Sequence, residues 1–219
     1  VLPEDHGQRV EALRGAWQLD DRFVWCAGST HRDEEERVLA AHRRLLSAEP
    51  RALLILAPRH PARCAEVAKL LRRQQLNFVR FSEAERVLTG VQIVLVDTLG
   101  QLQTLYGVAD IAYLGGSLVP VGGHNPIEAA VCSVPMLMGP EHFNFADVVA
   151  TFTDADAIEL VDDDQQLASR LLAAFKDPDQ RRRRGATARR VVADNRGALA
   201  FLVKQLSAEI RLLSSANDP

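Results

Sequence analysis

The residues of this chain best suited to chemistry sit in four short stretches rich in glycine, histidine or isolated charge. The densest is Gly115-Gly116-Ser117-Leu118-Val119-Pro120-Val121-Gly122-Gly123-His124-Asn125-Pro126-Ile127-Glu128. Glycine lets a backbone approach a ligand closely and reach positive φ. Asn125 suits a helix N-cap and Pro126 the first helical position. A helix start carries free N–H groups and partial positive charge, which favours phosphate. Glu128 then falls in the first turn, where its carboxylate is placed to accept hydrogen bonds from ribose hydroxyls. The bland alternative is a tight loop whose acid merely complements the helix dipole.

Three further stretches carry weaker signals. In Pro58-Arg59-His60-Pro61 the arginine is suited to bidentate contact with a phosphate or carboxylate, though an exposed turn arginine is as common. Asp97-Thr98-Leu99-Gly100-Gln101-Leu102 is expected to line a ligand with backbone N–H groups, unless Asp97 or Thr98 only caps a helix. Gly28-Ser29-Thr30-His31 reads as a loop whose Ser29, Thr30 and His31 are candidate sugar contacts, and Gly122, Gly123 and His124 join them. The acids Glu34, Glu35 and Glu36 that follow read as a solvated helix start. Arg181 to Arg184, with Arg189 and Arg190, form a basic run that suits anionic headgroups or a neighbouring domain. The nearby Asp177, Asp179 and Asp194 favour a solvated helix face. No GxxxxGK[ST], no GxGxxG after the first strand and no nucleophile elbow occurs, so kinase, dehydrogenase and α/β-hydrolase chemistry lacks its usual residues.

Positioning these loops requires an alternating α/β pattern. Short apolar runs at Phe23–Ala27, Leu53–Ala57, Asn77–Arg80, Gln92–Val96, Ile111–Leu114, Pro135–Met138 and Ala157–Val161 predict strands. Helices are predicted over Glu34–Ala48, Ala62–Gln74, Gly100–Tyr106, Phe145–Thr153, after Asn125-Pro126, and from Asp164 onward. Strands apolar on both faces that alternate with helices make a parallel sheet covered on both sides. The fold class is therefore α/β, a doubly wound, mostly parallel, Rossmann-like sheet. Ligands of such sheets bind beyond the carboxyl ends of the strands, where all four stretches fall. Residues 1–21 read as a linker or short helix around Val10, Leu13 and Trp17, and 22–219 as one nucleotide-binding domain.

Bulk properties agree with one globular domain. The chain has 219 residues, 47% hydrophobic and 25% charged, with a net charge of -3. That charge gives no electrostatic case for nucleic acid. The three cysteines, Cys26, Cys64 and Cys132, are scattered without metal-ligand spacing and read as reduced thiols. No run approaches the ~20 apolar residues of a membrane span, and no signal-peptide pattern is seen. The chain begins at Val1 and is expected to be a piece of a longer protein.

In this order the stretches resemble the C-terminal half of the 3-deoxy-D-manno-octulosonic acid (Kdo) transferases, which are GT-B glycosyltransferases. The matching pieces are Trp25 to His31, Leu53 to Pro61, Val96 to Gly100, Leu105 to Asp110, Gly115 to Val119, Gly122 to Glu128, Pro135 to Pro140, and His142 to Phe145. The resemblance is strong from about Val24 to Phe145 and weak beyond. It implies a CMP-Kdo donor, a lipid A precursor as acceptor, and a place on the cytoplasmic face of the bacterial inner membrane. It also implies that CMP is held by Pro58 and Arg59, by Leu99, Gly100 and Gln101, and by Asn125, Pro126, Ile127 and Glu128. No cofactor or metal is implied. The catalytic base is expected in an N-terminal acceptor domain that this chain lacks, so the chain alone is expected to bind CMP and transfer no sugar. Asp33 stands where the family usually has glycine, Gln101 replaces a common Glu, and Val121 sits where some members carry Arg. The competing readings are a UDP-sugar-dependent transferase or epimerase and a non-catalytic nucleotide-binding domain.

Overall fold

A computed structural model describes residues 2–87 and 90–195. The described part of the predicted C-terminal helical region comprises Asp164–Lys176 and a helix from 178 to 195; the remainder of that reading, 196–219, lies outside the described residues.

Seven strands form one sheet: β1 (Val24–Thr30), β2 (Leu53–Pro58), β3 (Phe78–Arg80), β4 (Ile93–Leu95), β5 (Ile111–Leu114), β6 (Met136–Met138) and β7 (Ile158–Leu160). Their order is β3-β4-β2-β1-β5-β6-β7, and every neighbouring pair is parallel. The helices are α1 (His6–Trp17), α2 (Glu35–Ala48), α3 (Cys64–Arg73), α4 (Leu102–Val108), α5 (Ile127–Ala130), α6 (Ala146–Asp154), α7 (Asp164–Lys176) and α8 (178–195).

Side chains alternate along each strand, so one continuous apolar run feeds two cores. Val24, Cys26, Leu53 and Ile55 pack on one face beneath α1, α4, α5, α6 and α8. Trp25, Ala27, Leu54 and Leu56 pack on the other beneath α2, α3 and α7. Burying both faces is why these strands read as unbroken hydrophobic runs. The first residues are part of this body, because α1 lies along α4. Trp17 is fully buried and its indole N–H donates to the Ala84 carbonyl at 3.0 Å.

Gly28, Ser29 and Thr30 are strand residues, which corrects the loop expected there. The register of β1 against β2 shifts between Gly28 and Thr30, with Ser29 at φ 57°. This bulge keeps Thr30 paired with Pro58 while re-aiming Ser29. Three arginines of the basic run are paired locally. Arg181 pairs with Asp110 at 3.1 Å, Arg182 pairs with Asp179, and Arg184 pairs with Asp156 at 2.7 Å and with Glu159. Among the described residues no helix is long and apolar enough to cross a membrane.

Candidate functional site

The chain adds β2 and β4 on one side of β1, then crosses to add β5 on the other. Loops leaving the carboxyl ends of β1 and β5 diverge at this reversal and leave a crevice. A cleft of about 550 Å³ lies there. Of the expected residues, Ser29, Pro58, Arg59, Leu99, Gly100, Gln101, His124, Asn125 and Glu128 line it. Four separate crossovers thus converge on one cavity.

The remaining expected residues sit elsewhere. Thr30 is fully buried, with its hydroxyl 3.4 Å from Glu35 Oε1, so it faces protein. Pro126 is buried, and Ile127 lines a different groove with Val148, Phe152 and Val191. A Cβ on Gly122 would overlap the Asn144 amide, and one on Gly123 would overlap Met138. Those two glycines admit the 139–145 segment against their loop, so the glycine density comes partly from packing. The helix after Asn125 is a single turn. Asn125 Oδ1 accepts from the Ile127 N–H at 3.0 Å, an Asx turn that leads into the helix, while Pro126 takes the cap position expected for Asn125. The Glu128 and Ala129 N–H groups that follow have no intrahelical acceptor. So short a helix carries little macrodipole.

The acids after β1 are not a solvated helix start. Glu34 is completely buried and Glu35 nearly so, while Glu36 is exposed. Glu34 Oε1 accepts from the Tyr113 hydroxyl at 2.7 Å, Ser117 N–H at 3.0 Å and Leu118 N–H at 3.1 Å. Glu34 Oε2 accepts from Gly116 N–H at 2.7 Å and His31 N–H at 3.0 Å. The carboxylate therefore holds the first half of the glycine-rich loop from below. Glu35 is taken by Arg63 at 2.7 Å. Burial pushes the Glu35 carboxyl up, and the Arg63 bond opposes that. Gly116 adopts φ 69°, and a Cβ there would press on His124 and His31 at 3.2 and 3.3 Å.

His31 and His124 lie across that glycine with their Nε2 atoms 2.8 Å apart. Their rings are within 9° of parallel and their centroids 5.1 Å apart. Given the short nitrogen contact, the imidazoles meet end to end through a hydrogen bond and are not stacked face to face. Burial holds the His124 imidazole down to about 4, with His31 and Arg59 adding to the effect. Burial also lowers His31, against the opposing influence of Glu34. His60 meets the His31 ring edge-on at 6.0 Å.

On the facing wall Arg59 is exposed and takes part in no ion pair among the described residues. Its backbone N–H donates to the Thr30 carbonyl at 2.9 Å, so its position is fixed while its guanidinium stays free. Asp97 caps nothing in α4. It accepts from the Ser82 N–H and hydroxyl at 3.0 and 2.8 Å and lies 3.4 Å from Arg80. Burial alone would raise its carboxyl, but these bonds outweigh burial and hold it below the usual range. Thr98 and Tyr106 also line the cleft; sequence reasoning placed Thr98 in a ligand-lining stretch or as a helix cap and did not single out Tyr106. The Thr98 hydroxyl is buried without a partner among the described residues. Its place one residue beyond Asp97 at the end of β4 was the available signal. Among the described residues no group of three or more His, Cys, Asp or Glu side chains is arranged to hold a metal ion.

An all-parallel doubly wound sheet with its cleft at the strand-order reversal is the architecture that this chain shares with domains of GT-B glycosyltransferases. No family model matches the chain. Its sequence is 37% identical over 200 residues to the 3-deoxy-D-manno-octulosonic acid transferase of Haemophilus influenzae, covering 91% of this chain and 47% of that protein. Its structure matches the crystal structure of the C-terminal CMP-Kdo binding domain of WaaA from Acinetobacter baumannii, with TM-score 0.82 and 32% identity over 87% of this chain and 99% of that one. The C-terminal domain of a glycosyl transferase group 1 family protein from Francisella tularensis shares the fold, with TM-score 0.60 at 12% identity, covering 88% of this chain and 93% of that one. The chain belongs to the Kdo transferase family and corresponds to its C-terminal domain. It spans about half the length of the curated relative it matches, at 47%.

Proposed function

We propose that this chain holds the CMP-Kdo donor of a Kdo transferase, whose whole protein moves Kdo to a lipid A precursor in lipopolysaccharide biosynthesis. The observation that carries this reading is the convergence of Pro58-Arg59, Leu99-Gly100-Gln101, Asn125 and Glu128 on one cleft. It is supported by the Acinetobacter baumannii relative, a CMP-Kdo binding domain. In this reading Arg59 supplies charge to the leaving phosphate, and the N–H group of Glu128 adds a fixed donor. Both stabilise charge that develops as the sugar departs. Glu128 accepts from the ribose hydroxyls and so sets donor geometry. The acceptor hydroxyl is deprotonated by a base in an N-terminal domain outside this chain. The whole protein acts at the cytoplasmic face of the inner membrane, and this chain alone transfers no sugar.

Amide chemical-shift mapping with CMP and with UMP tests the reading. CMP is expected to perturb Arg59, Leu99 to Gln101 and Asn125 to Glu128, and to bind more tightly than UMP. A map that misses the Asn125 turn overturns the site. A clear UMP preference turns the assignment to a UDP-sugar enzyme.

A further inference from the structure

The His31–His124 contact limits what the two rings can do. In an Nε2–H···Nε2 hydrogen bond one ring donates and the other accepts, so a single proton lies between them. The accepting ring must then carry its own proton on Nδ1. The donating ring keeps a free lone pair on Nδ1, since neither ring has a second protein partner among the described residues. One more proton on that nitrogen makes an imidazolium and strengthens the shared bond. A further proton on the accepting Nε2 would break it. The pair therefore holds one extra proton and no more.

Its surroundings keep that proton away while the cleft is unliganded. Facing it are Arg59 and His60 from the end of β2, Arg63 from the following turn, and Glu34 from the start of α2. Glu34 is the acid among these, and its oxygens are already committed to five hydrogen bonds. A cluster of imidazole and guanidinium groups with its carboxylate occupied is complementary to an anion from outside. His124 lines the cleft, and Arg59 stands across from it beside the nucleotide phosphate proposed above.

We infer that His31 and His124 act as one unit that takes up a single proton when a sugar carboxylate enters the cleft, so that the pair recognises acidic sugars. This rests on the donor-site reading above. The proton comes from water, no covalent bond to the sugar forms, and the resulting imidazolium pairs with the carboxylate. Neutral sugars leave the pair uncharged. Affinity for the acid then falls as pH rises through the midpoint of the occupied pair.

The 219-residue chain saturated with CMP is titrated with free Kdo and with Kdo methyl ester, while histidine ring carbon–proton resonances are followed from about pH 3 to pH 8, a range that spans the lowered midpoint of the free pair. Kdo is expected to raise the midpoint of the pair by at least about one unit, and its affinity to drop about tenfold for each unit of that shift as pH rises from the free to the occupied midpoint. The ester is expected to leave the midpoint unchanged, and His31→Gln or His124→Gln to abolish the shift. Equal binding of acid and ester, an unmoved midpoint with Kdo bound, no Kdo binding at any pH, or two independently titrating rings would each overturn the inference. The acid–ester comparison needs no variant. If CMP itself does not bind, the donor-site reading fails, and the same titration on the ligand-free chain still decides the behaviour of the pair.

Discussion

The Glu34 carboxylate and the Gly116 amide, both buried, are joined by a 2.7 Å hydrogen bond across 82 residues of sequence. Four other donors share that carboxylate. Removing the acceptor strands several buried N–H groups, each costing about 1–3 kcal/mol. Glu34→Ala is expected to destabilise the fold by at least about 3 kcal/mol on the same basis. Glu34→Gln is expected to cost nearly as much, because its NH2 would face other donors. Urea midpoints read both variants, and a loss below about 1 kcal/mol for either contradicts the anchoring role.

Arg59 has the opposite profile, exposed on the rim of the cleft and without an ion-pair partner among the described residues. Its removal should barely move the urea midpoint, within about 0.5 kcal/mol as for ordinary surface positions. Charge-assisted bonds to an anion contribute about 1.5–3 kcal/mol, so Arg59→Ala is expected to weaken CMP binding roughly ten- to hundredfold. Calorimetric titration of both proteins with CMP measures this.

His42 ties the fold to pH. The Trp25 indole N–H donates to its Nδ1 and its Nε2–H donates to the Gln92 carbonyl, both at 3.1 Å. Burial holds this imidazole down to about 3, while the Gln92 bond opposes the shift. The unfolded chain protonates His42 below about pH 6.5, whereas the folded chain does not until about 3. Stability is therefore lost as pH falls through that window, by about 1.4 kcal/mol per unit from this group. His42→Gln keeps an acceptor for Trp25 and should show a shallower slope. Unfolding series at pH 7 and pH 5 compare the two.

Asp33 occupies the left-handed region at φ 67°. A side chain there costs about 1–2 kcal/mol per residue relative to glycine, with aspartate among the better tolerated. Asp33→Gly is expected to leave the melting temperature unchanged or raise it, and Asp33→Val to lower it. A fall with glycine would mean that the aspartate side chain has a role of its own.

The strands were legible because both faces are buried: Leu53 to Ala57 reads as one apolar run since each residue meets a helix layer. The acids after β1 were not. Glu34, Glu35 and Glu36 are identical in type and adjacent, and their fates depend on rotation about the start of α2. One falls beneath the glycine loop, one meets Arg63, and one points to solvent. That rotation is fixed by contacts with β5 and the loop after it, far along the chain. Tyr106 escaped notice, and the Thr98 hydroxyl was weighed only as a cap, for the same reason, since each becomes part of the cleft only when β4 and β5 take their places beside β2 and β1. Likewise Gly122 and Gly123 looked like ligand-facing glycines until the 139–145 segment was seen against them.

No contiguous piece of the chain owns the cleft. Its walls come from the ends of β1, β2 and β4 and from the loop after β5, which are apposed only once the central strands have paired. Partly assembled forms consequently have nothing to offer a nucleotide, and any ligand selects the fully assembled chain over every other state. Ligand at a hundred times its dissociation constant would add about 2.7 kcal/mol to the unfolding free energy of the entire body. A melting curve that reports only global collapse is thus a sufficient detector for whatever this chain binds.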